Sequence, residues 1–92
     1  MELHELVHRV DSKETFLEFV TALRADWEAS RAEERAQPSS PYGPDARGWE
    51  NPDLGRFLEA MHDWTEDMGD RVAPQPSWRT FADMLMVAKI YE

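Results

Sequence analysis

The 92-residue sequence contains no cysteine. That single absence excludes a disulfide framework, a thiolate metal site and a cysteine nucleophile. No apolar run is long enough to span a bilayer, and the opening "MELHELVHRV" has neither the basic start nor the apolar stretch of a signal peptide. Basic residues are scarce: ten Lys and Arg stand against nineteen Asp and Glu, a formal charge of −9 at pH 7. Affinity for phosphates comes from clustered Lys and Arg, so nucleic acid and anionic membranes are disfavoured as partners. A basic protein partner is compatible with this charge, as is a purely solubilising role. The sequence also lacks a Gly-rich phosphate loop and a G-x-S-x-G elbow, which weakens the case for an enzyme. The default expectation is a cytoplasmic protein of bacterial type, with no cofactor.

What is present is a set of helical periods. Residues 1–92 suffice for one domain, and four Trp and four Phe supply large surfaces to bury. Leu3, Leu6, Val7 and Val10 are spaced for a short N-terminal helix. In "DSKE", Asp11 or Ser12 can cap the next helix, with Glu14 in capping-box register to Asp11. Phe16, Phe19, Val20, Leu23 and Trp27 form one stripe, which fails after about Ser30 because Glu34 falls where an apolar residue belongs. The tail "EASRAEERAQ" keeps helix propensity but has nothing apolar to bury.

Three of the six prolines and two of the four glycines lie between Gln37 and Asn51, a long connection for so small a domain. Tyr42 and Trp49 within it are expected to pack back on the helices. Asn51-Pro52-Asp53 reads as a helix start, with Asn51 as cap and Pro52 at the first helical position. Leu54, Phe57, Leu58, Met61, Trp64 and Met68 carry the next stripe, and Gly69 ends it. After the turn "DRVAPQP", Ser77 caps a last helix with a core stripe of Trp78, Phe81, Ala82 and Leu85. Met84, Met86, Val87, Ile90 and Tyr91 spread apolar surface over its other sides, so this helix is either central or docked on a second subunit. The expected fold is all-α: a small helical bundle of three main helices plus a short N-terminal one, with one long Pro/Gly-rich loop.

Glu-x-x-His occurs twice, at Glu5/His8 and Glu59/His62, a spacing that holds di-metal centres in four-helix carboxylate proteins. Wound at ~100° per residue, however, Glu59 turns away from the apolar stripe, with Asp63, Glu66 and Asp70 on the same outward side. A buried di-metal centre is therefore not expected. Surface alternatives are His4 with His8, or His62 with Asp63 and Glu66. Asp63, Glu66, Asp67 and Asp70 crowd a helix C-terminus, where negative charge opposes the dipole. They could hold a cation or a basic partner, or simply be a solvated face. Their spacing is not that of an EF-hand loop. Ser39, Ser40 and Ser77 fit turns and caps better than catalysis. Tyr42, Arg47, Trp49, Glu50 and Asn51 are of the types enriched at interface hot spots. The alternative is structural: Trp49 pins the loop and Glu50 pairs with Arg47 or Arg79.

"PSSPYGPDARGWEN", then "FLEAMHDW", then "PSW" with "FADMLMVAKIYE", resemble a family of small bacterial proteins classed as a domain of unknown function. The resemblance runs from about Phe16 to Glu92. It implies a compact bacterial domain and supplies no activity, cofactor or catalytic residue. The function expected is a non-catalytic protein-interaction domain, comparable with acidic immunity or antitoxin factors that occlude a basic toxin. It would use Tyr42, Arg47, Trp49, Glu50 and Asn51 with Met84, Val87, Ile90 and Tyr91. The alternatives are a metal-binding protein or metal-dependent enzyme using surface His and carboxylates, and a self-associating module, a homodimer built on the last helix.

Overall fold

Caps and stripes place the helices of the computed structural model, which describes residues 1–72 and 75–91. Ala73 and Pro74, in the expected "DRVAPQP" turn, and Glu92, in the ending "KIYE", lie outside the described residues. Among the described residues four α-helices follow in order: α1 (Leu3–His8), α2 (Lys13–Ala36), α3 (Leu54–Met68) and α4 (Trp78–Ile90). Among the described residues the only extended pairing is an isolated bridge between Asp45 and Trp49. The all-α expectation holds.

One expected cap moves and another keeps its residue but takes a different partner. Ser12 starts α2 and its hydroxyl accepts the Thr15 backbone N–H at 3.1 Å, while the Ser12 N–H donates to the Thr15 hydroxyl at 3.0 Å. The reciprocal partner is thus Thr15 rather than Glu14, because a cap at Ser12 puts the third helical position one residue later. At α3 the cap is Asp53, which accepts the Arg56 N–H at 2.9 Å, and not Asn51. Pro52 therefore precedes the helix. Asn51 is recruited elsewhere, to the end of α4. Ser77 caps α4 as expected, accepting from the Thr80 N–H at 3.0 Å. Gly69 ends α3 with φ +53°, a conformation that costs a residue with a Cβ far more.

The helix α4 is central: it packs against α1, α2 and α3, whereas α2 and α3 make no comparable contact with each other. Ala82 and Ala88, both fully buried on α4, allow this close approach from several sides. α1 lies across α2 and α4, and its Val7, with Val10 just beyond, joins Phe19, Leu23, Trp49 and Ala82 in the core. Trp78 and Phe81, expected inside, are each 41% exposed. They pack instead in a partly open cluster with Phe16, at ring-centroid distances of 5.4 and 6.4 Å.

Candidate functional site

Glu34 explains why α2 continues past its apolar stripe. Its carboxylate accepts the backbone N–H of Ser39 at 2.9 Å, the hydroxyl of Ser39, and the backbone N–H of Ala46 at 2.6 Å. One side chain thus ties together both ends of the excursion from Ser39 to Ala46. These bonds, the Ser39 hydroxyl foremost, hold the Glu34 carboxyl below its ordinary pKa. Ser30, fully buried one turn earlier, donates its hydroxyl to the Ala46 carbonyl at 2.8 Å, and Arg31 pairs with Asp45. Tyr42 does not pack back on the helices as expected. With the loop base anchored, its tip projects and the Tyr42 ring is 97% exposed. Replacing Glu34 by alanine should therefore speed hydrogen exchange at the Ser39 and Ala46 amides by about tenfold or more. The amides of the α2 core around Phe19 should be unchanged in the same spectra.

Beyond Ala46 the chain turns sharply, with Arg47 at φ +62° and Gly48 at φ +76°. The left-handed pair directs Trp49 inward, where it is 3% exposed. Three donors, two from this turn and one from α4, meet on Asp26: the Trp49 indole N–H at 2.8 Å, the Lys89 ammonium at 3.0 Å and the Arg47 guanidinium at 3.3 Å. Arg47 also donates to Glu33 at 3.1 Å, so two cations face two carboxylates. Lys89 is only 8% exposed and lies 5.3 Å from the centre of the Trp49 ring, a cation–π contact. Burial pushes the Asp26 carboxyl up, but the bonds from Lys89, Trp49 and Arg47 outweigh it and hold the group below its ordinary value.

The next two residues close the end of α4. The backbone N–H groups of Glu50 and Asn51 both donate to the Lys89 carbonyl at 3.1 Å. The Asn51 amide donates to the carbonyls of Ala88 at 3.1 Å and Tyr91 at 2.6 Å. Carbonyls at a helix C-terminus have no partner within the helix, so "GWEN" acts as a cap supplied from the loop. Trp27 completes the clasp by donating its indole N–H to the Pro52 carbonyl at 2.9 Å. The half-buried Tyr91 donates its hydroxyl to Asp67, which raises the pKa of the phenol. Arg79 reaches Asp83 at 3.0 Å and the ring of His8 at 2.9 Å.

The clasp joins "GWEN" to "KIY" in space, and residues 12–92, which span both, match one family model. The chain belongs to DUF7660, a family of unknown function. α1 lies outside the matched residues. No curated protein and no solved structure matches the chain. Among the described residues, no helix is long and apolar enough to cross a membrane.

A second feature of this DUF7660 chain is apolar. A cavity of 330 Å³ runs between α2 and the start of α3, lined by Val20, Leu23 and Trp27 on one side and Leu54 and Phe57 on the other, with Leu85 of α4 beneath. Leu54 is 73% exposed and Leu58, one turn on, 52%. A separate hollow between α3 and α4 is lined by Leu58 and Met61 on one side and Met84 on the other. Beside it, His62, Asp63 and Glu66 are exposed, with one ligand-type atom from each lying within 4.8 Å of the others. The bond from Asp63 and the charge of Glu66 raise the His62 pKa, which favours the imidazolium rather than the neutral ring a metal needs.

The structure brings Arg47, Trp49, Asn51 and Tyr91 into one clasp and seats Glu50 beside them, half-buried. Tyr42 stands apart, Met84 borders the open face, Val87 is half-buried and Ile90 is exposed. Asp26, Ser30, Glu34 and Lys89 are not among the site residues expected from the sequence, although they organise the clasp.

Proposed function

We propose that this chain is a non-catalytic protein-interaction domain that engages a basic protein through the open face between α2 and α3. The reading rests on one observation: exposed Leu54 and Leu58, one turn apart on α3, line two apolar hollows, and α3 beyond them is acidic. Apolar surface next to an excess of carboxylates over Lys and Arg suits a partner that offers both apolar and basic groups. Occlusion of a basic protein, in the manner of an immunity or antitoxin factor, is the finer form of this proposal. Tyr42, held out on its anchored loop, provides a second contact. Arg47, Trp49 and Asn51 serve the domain by holding its shape.

The test is affinity capture from the native host with the folded chain, at low and high salt, against the charge-reversed variant Glu59→Lys/Glu66→Lys. Basic proteins retained by the original chain, released by salt and missed by the variant are expected. Equal retention by both chains, or no basic protein on either, counts against the reading.

The proximity of His62, Asp63 and Glu66 supports a second reading, a surface metal site. It calls for stoichiometric metal in protein purified without a tag, and for a thermal shift with Zn²⁺ that is absent in His62→Ala. Protein that gives neither result is not a metal protein at this position.

A further inference from the structure

In a closed three-helix bundle every pair of helices touches. Here α4 separates α2 from α3, so the three helices form a layer with two faces. α1 covers one face by lying across α2 and α4. Among the described residues, no α-helix other than α1 packs on this layer. Neighbouring helix axes lie ~8–10 Å apart, so helices flanking α4 stand far enough from each other to admit one more helix above it.

We infer that this open seat takes a single amphipathic α-helix of the partner, apolar on the side facing Leu85 and basic on the flank facing α3. The inference rests on the basic-partner reading above and adds the shape of the ligand. Three features select it. First, among the described residues there is no β-strand whose edge could receive an extended peptide. A helix satisfies its own backbone groups and needs only an apolar bed. Second, the seat presents side chains along the length of α3, with Leu54, Leu58 and Met61 exposed or half-exposed on successive turns.

Third, the two walls differ in charge. Between Arg56 and Arg71, α3 and its end carry Glu59, Asp63, Glu66, Asp67 and Asp70 with no Lys or Arg. At 3.6 residues per turn, Glu59 and Glu66 stand on the outer flank of the leucine stripe, roughly 120° around the helix. The α2 wall is nearly neutral there, since Arg24 pairs with Glu28 at 2.7 Å. A helix with one basic flank is therefore drawn in a defined orientation. A second copy of this chain is a poor occupant, because each copy has a formal charge of −9.

The probe is a synthetic amphipathic peptide of about five helical turns, with Leu and Phe along one side and Lys along one flank. Its controls are the same composition interrupted by two central prolines, and a helix with Glu in place of Lys. Fluorescence anisotropy against the full chain should show the basic helix binding about tenfold or more tightly than either control. Leu58→Asp should weaken that binding about tenfold, and Glu59→Lys/Glu66→Lys should weaken it and remove its salt dependence. Circular dichroism melts establish that each variant is folded. Equal binding of the helical and proline-broken peptides, with the carboxylates still required, overturns the helical seat and leaves the basic-partner reading standing. Failure of every basic peptide to bind at low salt overturns both. Unchanged binding to folded Leu58→Asp removes the seat from this face. A dimer in sedimentation that Leu58→Asp dissociates gives the seat to a second copy instead.

Discussion

Asp26→Ala is expected to lower the unfolding free energy by about 3 kcal/mol, the range seen when one member of a buried ion pair is removed. For a domain of this size that corresponds to roughly 15 °C in Tm. The variant leaves the Lys89 ammonium, 8% exposed, without its carboxylate, and strips the Trp49 indole N–H of its acceptor. The cost comes from what remains behind more than from what was lost, and a double variant separates the two. Asp26→Leu with Lys89→Met removes both charges together, and it should be much closer to the parent than Asp26→Ala is. Urea unfolding of the three proteins decides the matter. A loss under about 1 kcal/mol for Asp26→Ala would place the pair with exposed salt bridges.

The same pair sets an acid limit. Burial raises the Asp26 pKa and the bonds from Lys89, Trp49 and Arg47 lower it further than that, so the folded value lies below the ordinary 3.8. A depressed carboxyl stabilises the fold above its unfolded pKa and loses that contribution as the pH falls through its folded pKa. Stability should therefore decline below about pH 4, and the decline should be shallower in the double variant that lacks both groups.

The apolar half of the fold was legible because its residues repeat at helical spacing, and the polar half was not, because its residues interrupt that spacing. Phe19, Leu23, Asp26 and Ser30 follow one another at intervals of four, three and four, and all four face inward or nearly so. The inward side of α2 does not end where the apolar stripe fails, after about Ser30. It changes chemistry, since the surface it meets changes from helix side chains to the backbone and cations of the 39–51 loop. Glu34 is the clearest case: an acid where an apolar residue was expected marks the anchor of the loop. On α4, Lys89 stands eleven residues after Trp78 and seven after Ala82, again on the inward side. A charged residue in register with a core stripe was the available signal. Asn51 shows the reverse difficulty: its local context is a good helix start, and only the distant end of α4 reveals its use. Tyr42 fails for a third reason, since an anchor at the loop base fixes nothing about the tip.

Trp49→Ala is expected to cost about 4 kcal/mol, the middle of the range for removing a buried aromatic. The ring is 3% exposed, stacks on Phe57 at 6.1 Å and carries Lys89 at 5.3 Å from its centre. It also borders the apolar hollow, so it links the clasp to the open face. Trp49→Phe preserves much of the buried area while removing the N–H that Asp26 accepts. A hydrogen bond to a charged group contributes roughly 1.5–3 kcal/mol, so the phenylalanine variant should lose about half of what the alanine variant loses. If the two variants melt together, the indole N–H carries the stability and the ring area does not. If Trp49→Phe matches the parent, Asp26 is held by Lys89 and Arg47 alone. The expected intermediate result means that the loop is fastened by burial and by a charged acceptor together. A loop fastened in both ways can hold Pro52 and Leu54 in place at the border of the open face.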